Sequence, residues 1–388
     1  MESLTQQFIA AHLSEDVRLL ALKTAPTGVD LPKALQQITA RQLLSKKVPT
    51  WASNPHLEFP THLSLEQCSS EATARYKASL LSGNTLVDLT GGMGVDCYFL
   101  SQNFKETFYV EQQPHLVEFA RHNFKVLNSI IRVNEGDSET FLNTMNSVDT
   151  IFIDPARRDM HGRKTVSIHD CTPDVGDLQE LLLEKAQHVL IKLSPMLDIS
   201  LALKELQNVK AVYVVAVGNE CKELLFLLER NYTDETVIYA ENLPESSIGR
   251  LSFRLSDEKA IKSAYSSGVL DYLYEPNAAV LKAGAFKTIA NEYGIQKLEM
   301  NSHLYTSDRF LESFPGRTFK VQSWAVFNNK ITKTLLAGIT QANITTRNFP
   351  LSVKDLRTKL KLKDGGNYYI FATTLATAEK VLILCQKA

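Results

Sequence analysis

Between residues 85 and 217, short apolar runs alternate with amphipathic stretches, and this alternation constrains the fold more than any other feature. The runs are rich in β-branched residues, as strands are, and the stretches between them have helical periodicity. Strands alternating with helices indicate a mostly parallel sheet covered by helices on both faces. We expect ligands to bind beyond the carboxyl ends of these strands. The predicted strands are TLVDLT, TFYVEQ, IIRVNEGD, TIFIDP, HVLIKLS and VKAVYVVAV.

Four regions are predicted along the 388 residues. Residues 1–64 form helices, with Asp30 as an N-cap, followed by an irregular proline-rich connector. Residues 65–255 are the α/β domain, which closes with ETVIYA and GRLSFRL as antiparallel edge strands. Residues 256–315 form a small α+β module with a ferredoxin-like character, and residues 316–388 form a basic module. These modules contain the predicted strands DYLYEP, FKVQSWAVF and NYYIFATT and the predicted helices NAAVLKAGAFKTIANEYG, VKDLRTKL and TAEKVLILCQK.

Two further helices are predicted next to strands of the α/β domain. Ser69 or Ser70 caps the first, ATARYKASLL, and Gly83 ends it. The segment VGNECKELL, which follows the sixth strand, is predicted to open the second.

We expect the protein to be cytoplasmic, because there is no secretory signal, no apolar run of about 20 residues, and no paired spacing among the five cysteines.

The segment LVDLTGGMG places Gly91, Gly92 and Gly94 between a strand that ends at Asp88 and a predicted helix. Glycines allow a ligand to approach the backbone, and nicotinamide, flavin and methyl-donor enzymes all use such loops. Here Cys97 occupies the third glycine position of G-x-G-x-x-G. Asp88 would repel a pyrophosphate but not a sulfonium ligand with an amino group. The loop therefore favours S-adenosylmethionine (SAM) over NAD, with a purely structural turn as the alternative.

Two more acidic residues follow strands of the same sheet. Glu111 ends the second strand, 17 residues beyond Gly94, where an acid accepts hydrogen bonds from a ribose diol. The alternative for Glu111 is a solvated loop position. Asp137 follows the third strand and could accept from the exocyclic amine of adenine or cap a helix, and the sequence leaves both possible.

The fourth strand ends in TIFIDPARRD, which places Asp154 beside the expected donor site. Its carboxylate could orient or deprotonate an acceptor nitrogen or oxygen, and Arg157 and Arg158 could hold phosphates. The alternative is an exposed charged turn.

Lys192 ends the fifth strand. Either it acts at the same edge of the sheet as Asp154, or its side chain extends to solvent.

The charge of this chain is unevenly distributed. The total of −1 is not the basic balance typical of a nucleic-acid-binding protein, but residues 316–363 contain ten basic residues and one acid, a local charge of +9. Residues 1–315 carry −10. Cations with interspersed aromatics are typical of single-stranded RNA binding; the alternative is a solvated helix face with core aromatics. The aromatics are Phe319, Trp324, Phe327 and Phe349, and the candidate RNA contacts are Arg317, Lys320, Arg347, Arg357 and Lys361.

As a set, these motifs resemble those of class I SAM-dependent methyltransferases over about residues 65–255. DLTGGMG matches the first motif, Glu111 the second-strand acid, GDS the third motif and DPAR the fourth. The whole chain resembles a bacterial methyltransferase family with a C-terminal THUMP-like domain, through YLYEPNAAVLKAGAF, NSHLYTSD, FPGRTF and RNFPLSVKDLRTKLKLKDGG. The resemblance implies a Rossmann-like α/β methyltransferase domain. Since THUMP domains bind RNA, the resemblance also implies that the substrate is an RNA, either tRNA or rRNA.

The resemblance also implies roles for particular residues. An upstream segment would close over SAM through Gln67, Ser69 and Ser70, with Glu71 or Arg75 near the acceptor. The implied cofactor contacts are Ser69, Asp88, Thr90, Gly91, Gly92, Gly94, Glu111, Gln112, Asp137, Ser138 and Asp154, the implied catalytic residues are Asp154, Pro155, Arg157 and Lys192, and no metal is expected.

The fourth motif departs from one family pattern. Enzymes that methylate exocyclic amines carry an aromatic that stacks on the flipped base, and this chain has arginine in that region. A ring nitrogen of a base is therefore the expected acceptor. Two other functions remain open: a non-catalytic RNA-binding or assembly factor on the same scaffold, and a methyltransferase of proteins or small molecules.

Overall fold

The computed structural model describes residues 3–157, 167–243, 250–328 and 334–388. The side chains of His62 and Arg157 are outside the described part, as are three residues of predicted function: Arg158, Lys330 and Lys333. The chain divides into two compact units, which are residues 1–211 with 223–234 and residues 212–222 with 235–388. The first division falls between residues 211 and 212, within the sixth predicted strand.

Helices precede the sheet of the first unit and separate its strands. Asp30 and Ser70 are N-caps, as predicted, and accept hydrogen bonds from the amides of Lys33 and Thr73. The predicted connector contains two short helices, α4 and α5. The bounds are α1 Leu4–Ala11, α2 Val17–Leu20, α3 Leu31–Lys47, α4 Pro49–Ala52, α5 His62–Gln67, α6 Glu71–Leu80, α7 Val95–Ser101, α8 Pro114–Val126, α9 Ser138–Thr144, α10 Val175–Lys185 and α11 Ile199–Glu205, with a 3-10 helix at Ile168–Asp170.

The predicted Rossmann-like sheet of the first unit contains β1 Gly83–Asp88, β2 Phe104–Glu111, β3 Arg132–Glu135, β4 Val148–Ile153, β7 Ala186–Leu193 and β9 Glu220–Glu229. β5 Ala156–Arg157 and β6 Cys171–Thr172 form a separate two-stranded sheet, and most of β8 Val209–Val217 belongs to the second unit. The order β9-β7-β4-β1-β2-β3 is parallel from β3 to β7, and β9 runs antiparallel to β7. This order brings the carboxyl ends of β1, β2 and β4 to one edge. Gly83 opens β1 and does not end the preceding helix.

The segment after the sixth strand was predicted to be a helix, and this prediction is wrong. Gly218 and Asn219 have positive φ values of 57° and 65°. Two consecutive residues in the left-handed region form the tight turn of a β-hairpin, so the chain reverses into β9. The composition of the leucine-rich run Leu224–Leu228 is compatible with a helix or a strand. The run is buried as part of the strand β9.

The second unit contains a hairpin and a larger sheet. Its elements are β10 Val237–Leu243, β11 Leu251–Arg254, α12 Leu255–Ala260, β12 Tyr272–Pro276, α13 Ala278–Ala283, α14 Thr288–Tyr293, β13 Gln296–Lys297, β14 Tyr305–Ser307, β15 Gly316–Val326, β16 Asn343–Arg347, α15 Val353–Leu360, β17 Tyr368–Thr374 and β18 Lys380–Lys387. β10 and β11 pair antiparallel, as predicted. The larger sheet has the order β13-β14-β12-β15-β18-β17-β16.

Two predictions for this unit need correction. The predicted long helix is two helices, because Gly284 adopts a left-handed φ of 79° and ends α13. The C-terminal segment is not a helix but the strand β18, which lies between β15 and β17. Its run Val381–Cys385 is buried because both faces of a central strand are covered. No helix within the described ranges could cross a membrane.

Candidate functional site

The glycine loop after β1 is shaped first by close packing. A Cβ at Gly91 would lie 2.1 Å from the ring of Tyr109, and one at Gly94 would lie 2.6 Å from the ring of Phe124. Gly92 is different, because a Cβ there would meet nothing closer than 3.8 Å, while its φ of 54° favours glycine. Two of the three glycines therefore seat the loop on β2 and α8, and Gly92 leaves space beside the backbone.

Asp88, at the end of β1, has a buried carboxylate that is only half satisfied. Its Oδ1 accepts a hydrogen bond from the Thr90 amide at 3.0 Å, while its Oδ2 is buried without a hydrogen-bond partner among the described residues. Burial, together with the carboxylates of Asp96, Asp154 and Glu111, raises the pKa of Asp88 well above its ordinary value. A buried oxygen without a donor fits the amino group of SAM.

Glu111, at the end of β2, holds the loop in place. Its Oε2 accepts from the Gly92 amide and its Oε1 from the Gln113 amide, both at 2.9 Å. The Tyr109 hydroxyl donates to the Gly92 carbonyl at 2.6 Å. Each carboxylate oxygen can accept a second bond, so Glu111 keeps the capacity to bind a ribose diol. Gln112 lies exposed beside it.

Asp137 is the N-cap of α9, which is one of the two roles that its sequence position allows. Its Oδ1 accepts from the Thr140 amide at 2.8 Å, and this hydrogen bond lowers the pKa of Asp137. The side chain is exposed, and Ser138 follows it as the first helical residue. Contact of Asp137 or Ser138 with adenine stays a prediction.

The fourth motif is tied directly to the glycine loop. The Asp154 amide donates to the Thr90 hydroxyl at 2.6 Å, so the end of β4 and the loop after β1 are held together. Pro155 is buried, and the backbone of Arg157 lies in β5. The side chain of Arg157 is outside the described part, so its predicted role stays a prediction.

Lys192 does not extend to solvent. Its ammonium group donates to Asp154 Oδ2 and lies 3.9 Å from Asp96 Oδ2, and its side chain is only 13% exposed. Burial opposes its charge, but the carboxylates of Asp154, Asp96 and Glu223 outweigh this and raise the pKa of Lys192. The structure therefore supports the first of the two possibilities for Lys192, because its side chain lies beside the Asp154 carboxylate and not in solvent.

A second buried lysine extends this group of charges, and the sequence prediction missed it. Lys77 is completely buried; its Nζ contacts both Glu223 oxygens at 2.7 and 2.8 Å, Asp96 Oδ1 at 3.1 Å and Ser69 Oγ at 3.2 Å. Ser69 in turn donates to Asp96 Oδ2 at 2.6 Å. We call Lys77, Asp96, Asp154, Lys192 and Glu223 the charged cluster. Its sequence signal was a lysine on the buried helical stripe of Ala74 and Ala78.

Glu71 and Arg75 make contacts within the helical part of the first unit. Glu71 accepts hydrogen bonds from the amide and hydroxyl of Thr50 at 3.1 and 2.8 Å and from Arg75 at 2.7 Å. The Arg75 guanidinium also lies 4.5 Å from the centroid of the Phe99 ring. These contacts join α6 to α4 and give both residues a structural role that the sequence did not indicate.

The predicted RNA contacts of the second unit are mostly engaged with carboxylates. Arg317 and Arg347 both bind the buried Glu275, with distances of 2.8 Å from Arg317 Nε and 3.0 Å from Arg347 Nη2. Of the three remaining candidates, Lys320 lies 3.5 Å from Asp271 and Arg357 lies 2.6 Å from Asp364. Lys361 is an exposed residue that follows α15. Arg317 and Arg347 are thus poor candidates for phosphate contact, because the buried carboxylate already holds their guanidinium groups.

The aromatics of the basic segment are also mostly structural. Phe319 is part of a hydrophobic core, and Phe327 and Phe349 pack edge-to-face with centroids 5.2 Å apart. Trp324 is 37% exposed on β15. Among the four predicted stacking residues, Trp324 is therefore the one available to a base.

One group of possible metal ligands lies away from these residues. His169, Asp174 and Asp177 bring ligand atoms within 4.8 Å of one another, in the part of the chain that is described. His169 Nδ1 lies 3.0 Å from Asp174 Oδ1, and this bond raises the pKa of His169. An ordinary histidine–carboxylate pair accounts for this geometry.

The chain was compared with known proteins. Residues 272–315 match a family model described as a ferredoxin-like domain, and residues 316–387 match one described as THUMP domain-like. An uncharacterized SAM-dependent methyltransferase of Mycobacterium tuberculosis strain CDC 1551 / Oshkosh is 23% identical over 322 residues, which are 81% of this chain and 84% of that protein. The corresponding protein of strain ATCC 25618 / H37Rv matches equally.

A solved structure resembles the whole chain. It is described as a "putative methyltransferase" from Porphyromonas gingivalis W83, is 36% identical, and covers 99% of this chain and 97% of its own, with a TM-score of 0.89. The Rossmann-like sheet, the half-satisfied Asp88 and the family-model matches over residues 272–387 agree with the predicted family and cofactor. The chain belongs to the class I SAM-dependent methyltransferases that carry a C-terminal THUMP-like domain.

Proposed function

We propose that this enzyme methylates RNA, at a ring nitrogen of a base in tRNA or rRNA, and that its THUMP-like domain binds the RNA backbone. The observation that carries the proposal is a group of exposed lysines on and after α15, which we call the lysine group: Lys354, Lys359, Lys361 and Lys363. The resemblance to THUMP domains, which bind RNA, points to the same substrate.

The lysine group differs from the arginines of the same segment in having no carboxylate partner within the described ranges. The two nearby acids are occupied, because Asp364 pairs with Arg357 and Asp355 accepts from the Ser352 hydroxyl. The Lys359 ammonium also lies 4.8 Å from the centroid of the Phe327 ring. Exposed lysines without a carboxylate partner exchange mobile counterions for phosphates at little cost. We therefore assign backbone contact to Lys361 and the other members of this group.

The donor site would work through residues that are already positioned. Asp88 Oδ2 would accept the amino group of SAM, Glu111 would accept the ribose hydroxyls, and Gly92 would leave room for the ligand beside the backbone. SAM supplies an electrophilic methyl group when it is bound. The protein's contribution is then to hold a base in line with that group, exclude water and provide Asp154 beside the acceptor nitrogen.

The proposal is tested with the full-length protein, SAM carrying a labelled methyl group, and total RNA from cells that lack this gene. We expect label in the RNA fraction, released by ribonuclease and insensitive to protease. Label that follows protein instead would contradict RNA as the substrate. RNA binding without any methyl transfer would support the non-catalytic alternative. A matched control is Asp154→Asn, which should leave RNA binding intact and abolish incorporation.

A further inference from the structure

The ion pair between Asp154 and Lys192 places a hydrogen-bond acceptor directly beside a donor. Lys192 Nζ binds Asp154 Oδ2, and Asp154 Oδ1 has no hydrogen-bond partner within the described residues. The Asp154 side chain is 34% exposed, so it can be reached from outside while Lys192 is mostly buried behind it. A planar group that meets this pair therefore finds one oxygen that accepts and one ammonium that donates.

The charge on Lys192 is held in place by the rest of the charged cluster. Asp96 Oδ2 lies 3.9 Å from its ammonium group, and Lys77 neutralises Glu223 and the second oxygen of Asp96 from the other side. The neighbouring carboxylates raise the pKa of Lys192, so the ammonium form persists at neutral pH. The ion pair is thus a fixed donor and acceptor, and not a lysine poised to lose its proton.

Nucleobases present two kinds of edge to such a pair. The lactam edges of guanine and uracil have a ring N–H next to a carbonyl oxygen. The edges of adenine and cytosine have an unprotonated ring nitrogen next to an amino group. On those edges Asp154 would accept from the amino group, and Lys192 would donate to the ring nitrogen and occupy the lone pair that has to attack the methyl group.

We propose that this enzyme selects a lactam base, guanine or uracil, and methylates its ring nitrogen; this inference rests on the proposed RNA methylation. The ring N–H proton passes to Asp154, and the charge that develops on the base is shared with the carbonyl oxygen, where the Lys192 ammonium stabilises it. The N–CH3 bond forms as the S–CH3 bond breaks. S-adenosylhomocysteine leaves as a neutral thioether, and no oxidant or reductant is needed.

The deciding measurement is the identity of the methylated nucleoside. Total RNA from cells lacking the gene is incubated with the full-length enzyme and SAM bearing a CD3 group, digested, and resolved by mass spectrometry. We expect the label on a ring nitrogen of guanosine or uridine. Label on adenosine, cytidine, a carbon atom or ribose would overturn this inference and leave RNA methylation standing. RNA without label would overturn both.

A second measurement separates catalysis from structure. Lys192→Met should lower the rate by about 10²- to 10⁴-fold and shift the rising limb of the pH–rate profile to higher pH, because the N–H is harder to ionise without the ammonium group. Lys192→Arg, which keeps the positive charge, should retain the wild-type profile. Equal losses in both variants with an unmoved profile would mean a structural role and would overturn the proposal. RNA affinity, measured by filter binding, should stay unchanged in both.

Discussion

The two units of this protein use basic residues in opposite ways. In the first unit, Lys77 and Lys192 are buried and each is matched to carboxylates of the charged cluster. In the second unit, Arg317 and Arg347 share the buried Glu275, while the lysine group is exposed and has no carboxylate partner in the part of the chain that the structure describes. Burial forces a cation to find an anion, whereas exposure leaves it free for a ligand. Net charge along the sequence therefore locates a polyanion site only after the paired residues are removed from the count.

The largest expected effect concerns the buried side of this comparison. Lys77→Met should destabilise the fold by about 3–5 kcal/mol, because Glu223 and Asp96 are left buried with one cation fewer. Urea unfolding of the full chain measures this loss. Lys105→Met, at an exposed position of β2, is the matched control and should change stability by less than about 0.5 kcal/mol.

A double variant makes this prediction sharper. Lys77→Met combined with Glu223→Gln should recover part of the stability, because the uncompensated negative charge is removed along with the cation. If Lys77→Met alone were as mild as the Lys105 control, the charged cluster would not be the tightly coupled group described here.

The next effect concerns the donor site. Asp88→Asn should weaken binding of SAM and S-adenosylhomocysteine by about 10- to 100-fold, since a hydrogen bond from a charged group is removed. Calorimetry measures both affinities. For the wild type, affinity for SAM should fall as the pH is lowered. Because the pKa of Asp88 is raised, its carboxylate takes up a proton at a higher pH than usual and then no longer attracts the amino group. An unchanged affinity in Asp88→Asn would refute this placement of the site.

Asp137→Asn is the control for the donor site. Asparagine keeps the N-cap of α9, so stability should be preserved while any contact of the carboxylate with adenine is removed. A selective loss of affinity would establish the adenine contact, and an intact affinity would leave Asp137 as a helix cap alone.

The exposed side of the comparison predicts a change in salt dependence. Replacing the four lysines of the lysine group by alanine should flatten the plot of log affinity for RNA against log salt, by up to about 0.7 for each phosphate that a lysine no longer neutralises. Lys105→Ala with Lys125→Ala is a matched control on the first unit, because both lysines are exposed. A slope that does not change would remove the lysine group from the RNA interface.

The arginines of the same segment should behave differently. Arg317→Ala leaves the buried Glu275 with one partner fewer, so the expected result is lower stability with an almost unchanged salt slope. A strong reduction of the salt slope without a stability loss would reverse this assignment and return phosphate contact to the arginines.

Local sequence patterns predicted much of the site, and their limits have a physical cause. Asp88, Glu111 and Asp154 were found because each ends an apolar strand, and the parallel sheet brings such ends to one edge. Lys77 and Glu223 are 146 positions apart and meet only through tertiary packing, so no local pattern could pair them. For the same reason β9 and β18 were mistaken for helices: a run that is buried on all sides has no polar face from which its period can be read.

The smallest expected effect lies in the second unit, where a histidine is packed near cations. Burial, Lys297 and Arg347 lower the pKa of His303 to about 4, and its φ of 51° is left-handed. Since its ordinary pKa is 6.5, the unfolded chain takes up this proton first as the pH falls. The folded state should therefore lose stability between about pH 6.5 and pH 4, by about 1 kcal/mol after allowing for solvent screening. His303→Asn keeps the backbone conformation and removes the titration. Urea unfolding at a series of pH values should show a shallower acid loss in this variant, and identical curves would mean that the nearby cations are too well screened to act on His303.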